Sequence, residues 1–171
     1  MKKHVFYLCS GALILLASCT KKAEFTYQLN NLDFVFEAPY AGAETKSAEA
    51  ILNLDSVFRA NKADIKQIRE VNLDNVKFEM QDGRNFDNFT GLTVEFMSDK
   101  NPTLTVGSMA EVEKGAKEVT FQGSKEADAD AFFNEGKFFV MLTSNMKPED
   151  TLSYTVKGNL TFKITAAAKA E

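Results

Sequence analysis

The 171-residue chain has no tryptophan, one histidine and two cysteines. His4 and Cys9 both fall within the first 18 residues, a stretch that reads as an export signal, so the exported chain keeps no imidazole and only Cys19. Without histidine the usual proton shuttle at neutral pH is missing, and Ser-His-Asp and Cys-His sites are excluded. A lone cysteine forms no intramolecular disulfide, even in an oxidising envelope. The same absences remove zinc's customary ligands and leave calcium and other oxygen-seeking ions as candidate metals. Lack of tryptophan removes the broadest aromatic platform for stacking sugar rings.

Positive charge is also in short supply. There are 20 basic and 24 acidic residues; cleavage takes Lys2 and Lys3 and no acid, so 20 less 2 leaves 18 against 24, a formal −6. That balance argues against nucleic acid and against a generally basic lipid-binding surface, while leaving room for a small local basic patch. Hydrophobic residues at 44% and charged residues at 26% describe a globular chain. Removing residues 1–18 leaves a length suited to one domain with one core.

The export segment has three parts: basic Lys2 and Lys3, an apolar run from Val5 to Ala17, and small Ala17 and Ser18. The run is shorter than the roughly 20 residues needed to span a bilayer core. Leu16, Ala17, Ser18 and Cys19 together resemble the lipobox of bacterial lipoproteins. That resemblance implies cleavage between Ser18 and Cys19, a diacylglyceryl thioether on Cys19 and an acylated amine. Two or three acyl chains hold a protein stably where one is marginal. Thr20 stands where an aspartate marks inner-membrane retention in some bacteria, so the resemblance implies the outer membrane, with the periplasmic and cell-surface faces both open. The expected organisation is a signal peptide over 1–18, a lipidated tether over 19–24 and a single β domain over 25–171.

Within that domain, period-2 alternation dominates. Phe25, Tyr27 and Leu29 share one parity and Leu32, Phe34 and Phe36 the other; the phase change at Asn30 and Asn31 predicts a bulge or tight turn. Residues 38–47, with Pro39 and Gly42, read as a loop, and Ile51, Leu54 and Phe58 recur at helical spacing toward Asn61. A second long strand is expected over 67–81, with its break at Asp74 and Asn75. Turn formers fill 82–88 before the strand carrying Leu92, Val94 and Phe96, and short strands are expected near 104–106 and 119–121. The unbroken run Phe138 to Leu142 predicts a central strand covered on both faces. Leu152, Tyr154, Val156, Leu160, Phe162 and Ile164 alternate with polar residues in the last strand, where Gly158 marks a bend.

About seven strands, at most two short helices and no strand-helix-strand repeat predict an antiparallel β-sandwich, immunoglobulin-like or a related Greek key; an open β-barrel is the alternative. The long bulged strand, the Asn85-Phe86-Asp87 loop and the alternating strand from Leu152 to Thr165 resemble small outer-membrane lipoproteins of gut-dwelling Gram-negative anaerobes. That resemblance implies an envelope location and no particular activity.

Candidate chemistry is sparse. Glu126, Asp128, Asp130 and Glu135 alternate like a calcium loop, but Phe132 interrupts them and a polar helix start explains them equally. Asp82, Asn85, Asp87 and Asn88 offer loop oxygens that Asx turns also account for. A glycosidase would need two carboxylates facing across a cleft. Tyr27 and Tyr154 lie at core parity, which leaves Tyr40, beside Pro39, as the candidate exposed ligand contact. The many phenylalanines fit a core better than an internal lipid cavity. Asp55-Ser56-Val57 and Asp150-Thr151-Leu152 resemble the acid-hydroxyl-aliphatic motif of protein O-glycosylation in such anaerobes. The expectation is therefore a non-enzymatic, lipid-anchored interaction or accessory module, without catalytic residues, metal or cofactor. Its expected partners are the membrane through Cys19 and an envelope protein or glycan, with no nucleic acid. A glycan- or small-ligand-binding surface lipoprotein is the alternative.

Overall fold

The alternating segments pair into two sheets in a computed structural model that describes residues 21–81 and 83–169. Among the described residues there are eight strands and two short helices. In chain order these are β1 (Lys22–Phe36), β2 (Ala43–Ile51), α1 (Leu54–Ala60), β3 (Ala63–Met80), β4 (Phe89–Met97), β5 (Leu104–Met109), β6 (Glu118–Gln122), α2 (Asp130–Glu135), β7 (Lys137–Met146) and β8 (Tyr154–Ala168). One sheet has the order β1-β8-β3-β6 and the other β2-β7-β4-β5, with all pairs antiparallel. The fold is an antiparallel β-sandwich in the eight-stranded jelly-roll order. Of the two expected variants it is the related Greek key and not the immunoglobulin arrangement, and the sheets do not close into a barrel.

Both predicted breaks in alternation are bulges. Between Leu29 and Leu32 two residues of β1 stand against one of β8, and Asn31 adopts φ 61° while its N–H donates to Asn159 Oδ1 at 3.0 Å. On β3 the register slips between Leu73 and Asn75, leaving Asp74 as the extra residue, and its Oδ1 lies 2.5 Å from Lys163 Nζ. An extra residue reverses the parity of the strand beyond it. The bulge therefore explains why apolar side chains on both sides of each break face the same core.

That core is built largely of phenylalanine. Phe34, Phe36, Phe78, Phe96, Phe138 and Phe162 are fully buried. Phe96 meets the rings of Phe132, Phe138 and Phe162, and Phe133 stands edge-on to Phe162 at 4.9 Å. Such offset and edge-on contacts add about 0.5–1.5 kcal/mol per pair beyond the area buried. The short helices close the same end of the sandwich. α1 buries Leu54 and Phe58, whose ring meets Phe25 at 4.9 Å, and α2 buries Phe132 and Phe133.

Three expectations are corrected. The loop expected over 38–47 ends earlier, because β2 starts at Ala43 and pairs with β7 from Asn145 to Lys137. It carries few apolar residues because it is an edge strand, whose exposed Glu49 and half-buried Lys46 discourage pairing with another chain. The helix expected from Ile51 begins at Leu54, since Ile51 is the exposed last residue of β2. β7 is central, as expected, but its outer face is only half covered: Phe138, Val140 and Leu142 are buried, while Phe139 and Met141 are partly exposed.

Candidate functional site

Strand direction gives the sandwich two unlike ends. At the proximal end β1 begins, β8 finishes and both helices lie; Ala168 N–H donates to Lys21 O at 2.8 Å. At the distal end β8 begins, and the segments joining β1 to β2, β3 to β4, β5 to β6 and β7 to β8 converge. The 15 residues of β8 separate the two ends by about 45 Å. Ser18, Cys19 and the proposed cleavage point lie outside the described residues, as do Asp82 and the two final residues.

The distal end is organised around Tyr40 and Tyr154. Tyr40, expected to be an exposed ligand contact, is 5% exposed, which overturns that expectation. Its hydroxyl lies 3.0 Å from Phe36 O and 2.7 Å from Leu152 O, so the side chain pins two loops together. Pro39 brought it to notice as a loop residue, but sequence alone could not show that Leu152 lies across from it. Burial pushes the Tyr40 phenol up to about 12, helped by the nearby Asp150, Tyr154 and Glu44 and opposed by Arg84. Tyr154 is buried as its parity predicted, and its pKa is also raised, first by burial and then by Asp150.

Around these phenols the polar groups are mutually engaged. Asn88 Nδ2 donates to Asp150 Oδ2 at 2.7 Å and to Tyr154 Oη at 2.5 Å. The Arg84 guanidinium lies 5.3 Å from the Tyr154 ring centroid and donates to Ser153 O. Asp87 Oδ1 accepts from Gly115 N–H at 2.6 Å, and Asp87 O accepts from Lys147 Nζ at 2.9 Å. Among the described residues, no fully buried side-chain nitrogen or oxygen lacks a hydrogen-bond partner. With both phenols protonated at neutral pH and their neighbours already bonded, this constellation stiffens loops and offers no activated nucleophile. Sequence reading picked out Asn88 and Asp87 as oxygen donors; their partners 28 to 66 residues away emerge only from the fold.

The acidic segment before α2 has a similar explanation. Asp128 Oδ1 accepts from Val71 N–H at 2.9 Å and from Asp130 N–H at 3.0 Å, which ties the start of α2 to β3. Glu135 faces elsewhere, accepting from Ser98 Oγ at 2.9 Å and from Asn101 Nδ2. Among the described residues no group of three or more histidine, cysteine or acidic side chains is placed to hold a metal ion. Of the two hydroxyls in the motif resembling O-glycosylation, Ser56 lies within α1 and Thr151 on the exposed β7–β8 connection.

At the proximal end a cleft of about 360 Å³ is bordered by Arg59, Lys62, Lys169, Asp55 and Asp64, over buried Phe58 and Ala63. No sequence motif announced it, because its residues come from α1, the start of β3 and the end of β8.

No family model matches the sequence, and no curated protein sequence does. Among solved structures, a chain of infectious bursal disease virus, Gx strain, aligns over 84% of this protein at 10% identity, with TM-score 0.45. This protein spans 32% of that chain's length. The BFDV capsid protein aligns over 84% of this protein and 98% of its own chain, at 10% identity and TM-score 0.32. Desmodium yellow mottle tymovirus aligns over 99% and 98% respectively, at 10% identity and TM-score 0.28.

Proposed function

We propose that the protein is a lipid-anchored, non-enzymatic module of the bacterial outer membrane, tethered through acylated Cys19 and acting by contact between its distal loops and another envelope component. The supporting observation is positional. β1 begins at Lys22, three residues after Cys19, at the end of the sandwich opposite the converging loops. A tether this short fixes the proximal end at the lipid surface and carries the distal loops about 45 Å away. A packed phenylalanine core, engaged distal polar groups and the exclusion of histidine- and thiol-based catalysis favour recognition over chemistry. The glycan-binding alternative loses its carrier residue, since Tyr40 is turned inward.

The test is the intact mass of the protein from native membranes, beside a Cys19→Ala control, with surface-protease accessibility on the same cells. A chain beginning at Cys19 with added acyl mass, lost in the control, is the expected result. Protease sensitivity then assigns the cell-surface or periplasmic face. A chain of unmodified mass in the soluble fraction would refute the anchor. For the distal loops, a photo-crosslinker at Leu152, which is 50% exposed, should give one discrete adduct in intact cells. Replacement at Thr26, exposed on β1, should give none. Equal yields from both positions would count against a distal contact surface.

A further inference from the structure

The run from Phe138 to Leu142 is apolar on both faces of β7, but the chain covers only one of them. Phe138, Val140 and Leu142 are buried in the core, while Phe139 and Met141 point outward and are half-buried. Among the described residues, Phe139 is the one phenylalanine whose ring meets no other aromatic ring. Strand pairing extends the strip sideways. Phe139 stands between Glu49 of β2 and Met97 of β4, and Met141 between Ser47 and Glu95. Ile51, paired with Lys137 at the end of β2, is 68% exposed, and Met97 is 39% exposed. Directly paired residues project to the same side, so Ile51, Met97, Phe139 and Met141 form one apolar patch on the proximal half of this outer face. Distal to it, Thr45, Thr143, Thr93 and Ser108 stand in register across all four strands. The carboxylates beside the patch are engaged: Glu49 Oε1 lies 2.6 Å from Lys137 Nζ, and Glu95 Oε1 accepts from Thr105 Oγ1 at 3.0 Å. The opposite outer face is unlike this one. From Thr155 to Thr165 every outward residue of β8, the corresponding inner strand, is threonine, lysine or asparagine.

We propose that the outer face of the β2-β7-β4-β5 sheet is covered by the same face of a second copy of the chain. An apolar centre bordered by hydroxyls, with its few charges already engaged, is the composition of a protein–protein contact. The nine residues of β2 and of β4, at about 3.4 Å each, and four strands about 4.8 Å apart outline a face of roughly 19 by 30 Å. Its projected area of about 570 Å² rises with side-chain relief toward the roughly 800 Å² that each partner contributes to a standard interface. The direction of the symmetry axis rests on the reading of Cys19 as the acylated residue. Two copies anchored in one membrane both leave it from their proximal ends, so the two-fold axis runs along the strands. With that axis between β7 and β4, the two patches meet at the same level and Phe139 lies against the second copy's Met97, an aromatic–thioether contact. The hydroxyl rows then meet each other. A bilayer is the poorer cover, because Glu49 and Glu95 would face lipid phosphates.

The experiment uses the protein extracted from membranes into detergent micelles and kept reduced, so that Cys19 cannot link two chains. Sedimentation equilibrium should give a protein mass twice that of one chain. Phe139→Glu should halve it. Met97→Glu, at the exposed end of β4, should halve it without altering β7, and Thr161→Glu on the opposite outer face should leave it doubled. A parent of single-chain mass overturns the proposal, as does a doubled mass that survives Phe139→Glu or Met97→Glu, or one that Thr161→Glu also halves. In phosphatidylcholine vesicles, a photo-crosslinker in place of Phe139 should join two chains through the segment around Met97. A join through Thr143 instead overturns the parallel arrangement, and transfer to lipid acyl chains gives the face to the bilayer and overturns the second copy. Failure of the anchor reads separately, as an unacylated mass at Cys19 in a protein whose doubled mass and sensitivity to Phe139→Glu persist.

Discussion

Gly158 of β8 lies directly opposite Phe78 of β3, and a β-carbon on that glycine would fall 2.8 Å from Phe78 Cε1 and 3.0 Å from Phe34 Cε2. The Phe34 and Phe78 rings meet edge-on at 5.8 Å across the strand between them. Gly158, which interrupts an otherwise alternating apolar face, is the space those rings occupy. Neither ring is the far end of a flexible side chain, and both are fully buried. Gly158→Ala should therefore cost about 1–3 kcal/mol in urea unfolding through overpacking. A variant as stable as the parent would show that the rings can yield.

Tyr40→Phe removes the one hydroxyl that joins the β1–β2 and β7–β8 connections, and should cost about 1–2 kcal/mol at neutral pH. The sign of its pH dependence is fixed by the raised pKa. The folded state holds the phenol proton up to about 12, against an ordinary value near 10. Between those values the native state binds more protons than the unfolded one, so this contribution is complete below pH 10. It is lost as pH rises toward 12, by about 2–3 kcal/mol. Stability measured across that window should fall more steeply for the parent than for Tyr40→Phe.

Legibility followed the range of the interaction concerned. Strand alternation is local, so β1, β3 and β8 could be read directly, and even their bulges showed as parity changes at Asn30–Asn31 and Asp74–Asn75. β2 could not, because an edge strand with little but Ala50 buried has no apolar period to read; its evidence is nine backbone pairings with β7. The jelly-roll order was likewise hidden, since nothing in β8 states that its neighbours are β1 and β3. The same limit explains Tyr40: a loop with proline reads as exposed until Leu152 is known to lie across it.

Asp128 separates a structural carboxylate from a metal ligand. Its Oδ1 accepts from Val71 N–H, on a fully buried residue, so Asp128→Ala should leave that donor unpaired and cost about 1–3 kcal/mol. Asp128→Asn keeps an acceptor oxygen and should lose less than half as much. Millimolar calcium should leave the melting temperature of the parent unchanged. A calcium-dependent rise in Tm, abolished in Asp128→Asn, would transfer this carboxylate to a metal site.

Lys62→Gly sets backbone strain against what the lysine side chain contributes. At φ 50° lysine holds a conformation that glycine adopts freely, at the position just past the end of α1 where helices favour glycine. Relief of that strain alone should stabilise the fold by about 0.5–1 kcal/mol, which in a domain of this size raises Tm by about 1–4 °C. Thermal melting of the variant beside the parent checks it, and a lower Tm would show that the lysine side chain contributes more to the fold than its backbone strain costs.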